Sequence, residues 1–183
     1  MTFERVVFLL RNPLAGLPLA FGVVLALHGH ERRLGLWLAG AAIFALGLGL
    51  RAWAGCLNNY GRGMPRRLAT SGPYSAMRNP LYLGSALAIV GASLSAGSVG
   101  LALLAGPWAI AVYHVVVLGE EPHLKARYAV DYAEYVDTVP RWLPLRILDL
   151  RPVVPLGRFA RRLLDESRAL PLLIPFLVLQ LRR

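Results

Sequence analysis

Two short stretches hold the residues able to do chemistry. The first, TSGPYSAMRNPLYLG, covers residues 70–84 and leads into an apolar run. Pro80 suits the first turn of a helix, where a missing N–H costs nothing. The free amides of that turn, with Arg78 beside them, suit a carboxylate or phosphate. Gly72 and Pro73 allow a sharp turn, and Tyr74 and Tyr82 bring amphipathic rings to a lipid boundary. The second stretch, LGEEPHLKARYAVDYAEYVDTVPRWLP, covers residues 118–144. Adjacent carboxylates at Glu120 and Glu121 are costly near a membrane unless they are paired. Pro122 biases Glu121 away from helical geometry, so Glu121 is expected to cap a new helix. Along that helix Glu121, Leu124, Tyr128, Tyr132 and Tyr135 recur at spacings of 3, 4, 4 and 3, one continuous face. A carboxylate followed by three tyrosines suits a ligand with an aromatic ring and a cation. Such a stripe more often serves plain packing, and Arg78 is ordinarily read as a membrane anchor. His114 stands seven residues before Glu121 and is either a catalytic group or a core histidine.

The elements that must position these residues are membrane spans. Hydrophobic residues make up 56% of the 183-residue chain and charged residues only 16%, against about 25% charge in a soluble domain. The apolar residues fall in blocks, as in an integral membrane protein. Span candidates are Leu14–Leu27 and Leu34–Ala54. The run Leu81–Gly119 is too long for one crossing of about 20 residues. Its cluster GASLSAGSVG is read as a turn near Ser95–Ser98, which makes a helical hairpin with both ends on one side. The expected fold is an all-α bundle of four to five transmembrane helices in a single domain, residues 1–183, with a core at 34–144. Ala41, Ala45 and Gly49 form a small-residue stripe expected to pack another helix, or alternatively to leave a gap open to lipid. Within 145–183, RFARRLLDESR reads as a solvated or headgroup-facing helix. ALPLLIPFLVLQL is too short and proline-rich for a confident crossing; it lies at the interface, re-enters, or packs on a second copy, giving a homo-oligomer.

Net charge is +10. Arginines flanking apolar blocks answer to topology and anionic headgroups rather than to nucleic acid. Residues 51–79 carry Arg51, Arg62, Arg66, Arg67 and Arg78 with no acid, so this loop is expected in the cytosol. The shorter opposite connection, with Arg32 and Arg33, argues weakly against that. Lone Cys56 excludes an intrachain disulfide and a multi-cysteine metal site, and no metal is expected. The start MTFERVVFLLRNPLAG does not read as a removable signal peptide. The absence of an inverted repeat disfavours a transporter.

The two stretches in this order, spanning roughly residues 50–144, resemble the isoprenylcysteine carboxyl methyltransferase and phospholipid methyltransferase family of integral membrane enzymes. That family's pattern is a Gly-Pro-Tyr turn, Arg-(His or Asn)-Pro-x-Tyr-x-Gly, then Glu-Glu-x-x-Leu and a tyrosine-rich helix. The resemblance implies S-adenosylmethionine as cofactor in a cytosol-facing pocket, and a lipid-like acceptor drawn from the bilayer. It assigns Gly72, Pro73, Tyr74, Arg78, Asn79, Pro80, Tyr82 and Gly84, with Glu120, Glu121, Leu124, Tyr128 and Tyr132, to cofactor binding. Arg78, Glu121 and His114 are the candidate catalytic residues, and His123 is a second candidate base. Asn79 stands where eukaryotic isoprenylcysteine enzymes have His, which puts prenylcysteine in doubt as acceptor. Ala129-Val130 replaces a common Phe-Gly. Competing expectations are a scaffold subunit without catalysis and a sterol-reductase-like NADPH enzyme.

Overall fold

The computed structural model describes residues 10–19, 34–58, 67–143, 154–174 and 177–178. Regular structure among them is helical: α1 (10–19), α2 (Leu34–Leu57), α3 (Pro80–Ser95), α4 (Val99–Thr138) and α5 (Leu156–Glu166). Short 3-10 turns lie at Pro73–Ser75 and Ser167–Leu173. Two helices, α2 and α4, are long and apolar enough to cross a membrane. The expected Leu14–Leu27 span is described only through α1, and its remainder lies outside the described residues.

The expected hairpin forms. α3 ends at Ser95, Gly97 turns at φ 82°, and α4 begins after Ser98, whose Oγ accepts the Leu101 amide at 3.1 Å. The 40 residues of α4 reach about 60 Å, twice the roughly 30 Å hydrocarbon core. Its apolar first half is long enough to cross by itself, and the half from Glu120 onward exceeds what a crossing needs. α4 also corrects one expectation: Glu121 does not cap a new helix. The helix runs through Pro122 and bends instead at Ala129, at φ 39° and ψ −106°. An alanine at positive φ in this sparsely populated region is strained by about 1–3 kcal/mol, so the surrounding packing must hold the bend.

α2 and α3 meet on glycines. A Cβ on Gly40 would lie 2.5 Å from the Gly91 carbonyl, and one on Gly47 would lie 2.6 Å from that of Gly84. Close backbone approach of this kind favours helix association in lipid. The packing stripe is therefore Gly40, Phe44, Gly47 and Leu48, with Gly84 and Gly91 opposite. The expected stripe of Ala41, Ala45 and Gly49 is mostly turned away: Ala45 is exposed and a Cβ on Gly49 would meet nothing within 4 Å. Ala45 and Gly49 line an open apolar groove between α2 and α5, the alternative reading of a lipid-facing gap. Spacing alone did not tell which of two small-residue faces met a helix. Gly91→Ala is expected to cost about 1–3 kcal/mol through overpacking. Gly49→Ala should be neutral or slightly stabilising. Thermal unfolding of the two variants in one detergent checks this contrast.

α1 lies against α4, where Trp108 Nε1 donates to the Leu14 carbonyl at 2.8 Å and Ala15 packs with Ala105 and Ala109. α5 rests on the end of α2, and after it the chain returns to the bundle. Leu173 is buried in the cluster of Phe44, Leu48, Ala92 and Ala96, so the chain packs on its own bundle at least that far.

Candidate active site

Because the hairpin returns α4 to the start of α3, the two chemical stretches meet. Arg78 Nη1 donates to Glu121 Oε1 at 3.0 Å, and Tyr82 donates its hydroxyl to Glu120 Oε1 at 2.7 Å. The segment after α4 then folds back across both helices. Arg78 N–H donates to the Pro140 carbonyl at 2.9 Å, and Asn79 Nδ2 to that of Arg141 at 3.1 Å. Arg141 grips Glu121 through both oxygens, Nε to Oε1 at 2.9 Å and Nη2 to Oε2 at 2.8 Å. This forked pairing is the strongest geometry available between a guanidinium and a carboxylate. It holds the Arg141 guanidinium protonated above its ordinary range, burial partly offsetting the effect.

One cavity of about 830 Å³ is lined by both stretches, including Tyr74, Arg78, Asn79, Pro80, Tyr82, Glu120, Glu121, Leu124, Tyr128 and Tyr132. Gly72, Pro73 and Gly84 are not in its wall. Gly72, at φ 61°, makes the turn beneath Tyr74 and faces Leu57 and Trp53. Pro73 is buried in the 3-10 turn, and Gly84 serves the contact with α2. The tyrosine stripe survives the bend at Ala129: Tyr132, Tyr135 and Val139 form a buried cluster with Leu124 and Tyr128 beside it. Tyr135 donates to the Tyr74 carbonyl at 2.7 Å, tying the stripe to the turn. Burial pushes the Tyr74 phenol above its usual range, so it stays protonated; Asn58 opposes this in part.

His114 is not in the cavity wall. Trp142 Nε1 points at its Nδ1 at 3.2 Å, two helical turns from Glu121. His123 does line the cavity, with Nδ1 3.0 Å from the Gly119 carbonyl. Residues outside the sequence expectation also contribute, chiefly Arg141, Arg51, Arg11 and Ser85. Arg51 lines the cavity while pairing with Glu166 at 2.7 Å and donating to Ser85. Arg141 had a signal in the sequence: two acids at a membrane boundary require cations, and Arg141 follows the tyrosine helix.

A cofactor-sized ligand fits this wall. Pockets of about 300–1,000 Å³ enclose such molecules. The Arg78 Nε is buried with no hydrogen-bond partner among the described residues, a donor left for an anionic group. Glu121 has both oxygens engaged and orients Arg78, whereas Glu120 is held through one oxygen only among the described bonds. No three His, Cys, Asp or Glu side chains cluster as a metal site among the described residues. Tyr82→Phe should leave the ring stacked on Tyr113, 4.9 Å between centroids, while freeing Glu120. A roughly tenfold weaker ligand affinity with retained folding is expected, the value of about one hydrogen bond to a charged group. Titration calorimetry beside a melting curve checks it.

Fold and site thus define a helical membrane protein with a cationic and aromatic cavity at the open end of a hairpin. The chain belongs to the phospholipid methyltransferase family, whose sequence model matches residues 33–131. That membership makes it an integral membrane methyltransferase. It is 28% identical over 153 residues to the nickel-cobalt-cadmium resistance protein NccN of Alcaligenes xylosoxydans xylosoxydans, covering 79% of this chain and 70% of that one. It is 32% identical over 125 residues to the cobalt-zinc-cadmium resistance protein CzcN of Cupriavidus metallidurans, covering 64% of this chain and 56% of that one. No solved structure matches it significantly.

Proposed function

We propose that the protein transfers the methyl group of S-adenosylmethionine to an acceptor drawn from the bilayer, at a cytosol-facing cavity within a bundle of four to five spans. The observation that carries this reading is the unpartnered Arg78 Nε beside Glu120 and five tyrosines in one cavity. When bound, the cofactor supplies a methyl carbon already activated by a positively charged sulfur. Arg78 would receive its carboxylate, with Glu121 and Arg141 holding the guanidinium in place. Glu120 would accept from a hydroxyl or ammonium group. Tyr74, Tyr128 and Tyr132 would flank adenine and the sulfonium, each cation–π contact being worth roughly 0.5–2 kcal/mol.

Methyl transfer to an activated carbon asks the protein for alignment and exclusion of water. The apolar walls from Leu81 and Val115–Val117 favour a lipid-like acceptor over a soluble one. A carboxylate acceptor needs no base. An amine must be neutral, and His123 is the lining residue able to take its proton. Calorimetry with S-adenosylhomocysteine in detergent is the direct test. Saturable binding supports the cofactor assignment, and its absence in folded protein ends it. Transfer of labelled methyl into a lipid extract then separates an enzyme from a scaffold.

A further inference from the structure

The contacts of α5 fix its rotation. Glu166 pairs with Arg51, Arg162 lies over Gly55, and Cys56 Sγ sits 3.7 Å from the Arg158 carbonyl. The half-buried residues Phe159, Arg162 and Glu166 therefore define the side toward α2. At about 100° per residue, the other residues sort into two arcs, one on each flank of that side, which meet at the back where Arg161 and Leu164 stand about 60° apart. One arc is Leu156, Ala160, Leu163 and Leu164, with Leu156 80% and Leu164 70% exposed. The opposite arc is Arg158, Arg161 and Asp165, all exposed. A helix held edge-on, with leucines to one side and arginines to the other, has the geometry of an interfacial helix. Nothing in a water-facing role would use the leucine arc.

We infer that α5 lies in the membrane interface of the leaflet holding the cavity, its leucine arc among acyl chains and its Arg158–Arg161 arc on anionic headgroups. Charge selects this occupant: residues 151–183 carry seven arginines against two acids, and basic segments beside a membrane are drawn to anionic lipid. The level of the interface is then set beside Arg51, which opens onto the cavity. The cavity mouth sits at headgroup depth, where an acceptor need not leave the bilayer.

The inference is independent of the cofactor, and so is its test. Full-length protein with Cys56→Ser carries a spin label at Ala160→Cys or Asp165→Cys, about 140° apart around the helix, in vesicles of phosphatidylcholine with 30 mol % phosphatidylglycerol (roughly the anionic share of a natural surface). The label at 160 is expected to be relaxed more by oxygen than by a water-soluble nickel chelate, and the label at 165 the reverse. Equal access of the chelate to both positions overturns the inference, placing α5 in water. Shielding of 160 from both quenchers also overturns it, in favour of a second copy of the chain on the leucine arc. For the headgroup part, phosphatidylglycerol should raise the Tm of the unlabelled protein by several degrees, and Arg158→Gln with Arg161→Gln should remove most of the rise. An unchanged rise in the double variant overturns the anionic part.

Discussion

Glu121→Ala is expected to reduce affinity for S-adenosylhomocysteine at least about 100-fold, near 2.7 kcal/mol, and to lower the Tm in detergent. The cause is indirect. Glu121 is the only described carboxylate paired with Arg78 and Arg141, so its loss leaves two neighbouring cations without the carboxylate that joins them. Side chains at this site keep 12–30% of their exposure. The stability loss should therefore fall below the 3–5 kcal/mol seen when a fully buried pair is broken, at about 1–3 kcal/mol. Arg141→Met leaves the Arg78 pair intact and should cost nearer tenfold in affinity. Calorimetry and thermal unfolding on the same preparations separate the two effects. Wild-type affinity in Glu121→Ala would show that Arg78 needs no orientation by this carboxylate.

Arg78→Lys is expected to lower kcat/KM by about 100-fold while the protein still folds. An ammonium can pair with Glu121 Oε1, and the bond from the residue 78 amide to Pro140 is untouched. What disappears is the fork. The Nε donor, buried and unpartnered, has no counterpart in lysine. If Arg78 were only a membrane anchor, lysine would serve equally, because positive charge is all an anchor supplies. Methyl-transfer kinetics with measured cofactor affinity decide the matter: full activity would return Arg78 to that role.

Much of the arrangement was legible beforehand, for a definite reason. A hydropathic block of 39 residues, Leu81–Gly119, cannot cross once, and a small-residue cluster at its middle leaves a hairpin as the compact solution. A hairpin returns its second arm to the side where the first began. The meeting of Arg78 with Glu121, and of Tyr82 with Glu120, therefore follows from length and order. The tyrosine face was equally accessible, because helical periodicity groups Tyr128, Tyr132 and Tyr135 whichever way the helix points.

Other features depended on choices between neighbours that sequence spacing leaves equal. α2 carries small residues on two faces, and only the direction from which α3 arrives decides that Gly40 and Gly47 are covered while Ala45 and Gly49 stay open. The break expected at Pro122 moved to Ala129, since a proline inside a helix forfeits one hydrogen bond whereas the packing of Tyr132 and Tyr135 favours a bend further on. His114 shared a side with Glu121 by count, yet Trp142 reaches it first.

The amino-acid order by itself determined the long apolar helices, the hairpin and the gathering of charge and aromatic rings at one end, because hydropathy and helical period are read locally. Only the tertiary structure decided which guanidinium grips Glu121, which donor is left unpartnered and where the cavity ends. Those outcomes hang on ångström-scale distances between groups far apart along the chain, and the forked pairing with Arg141 forms only when the segment after α4 folds back.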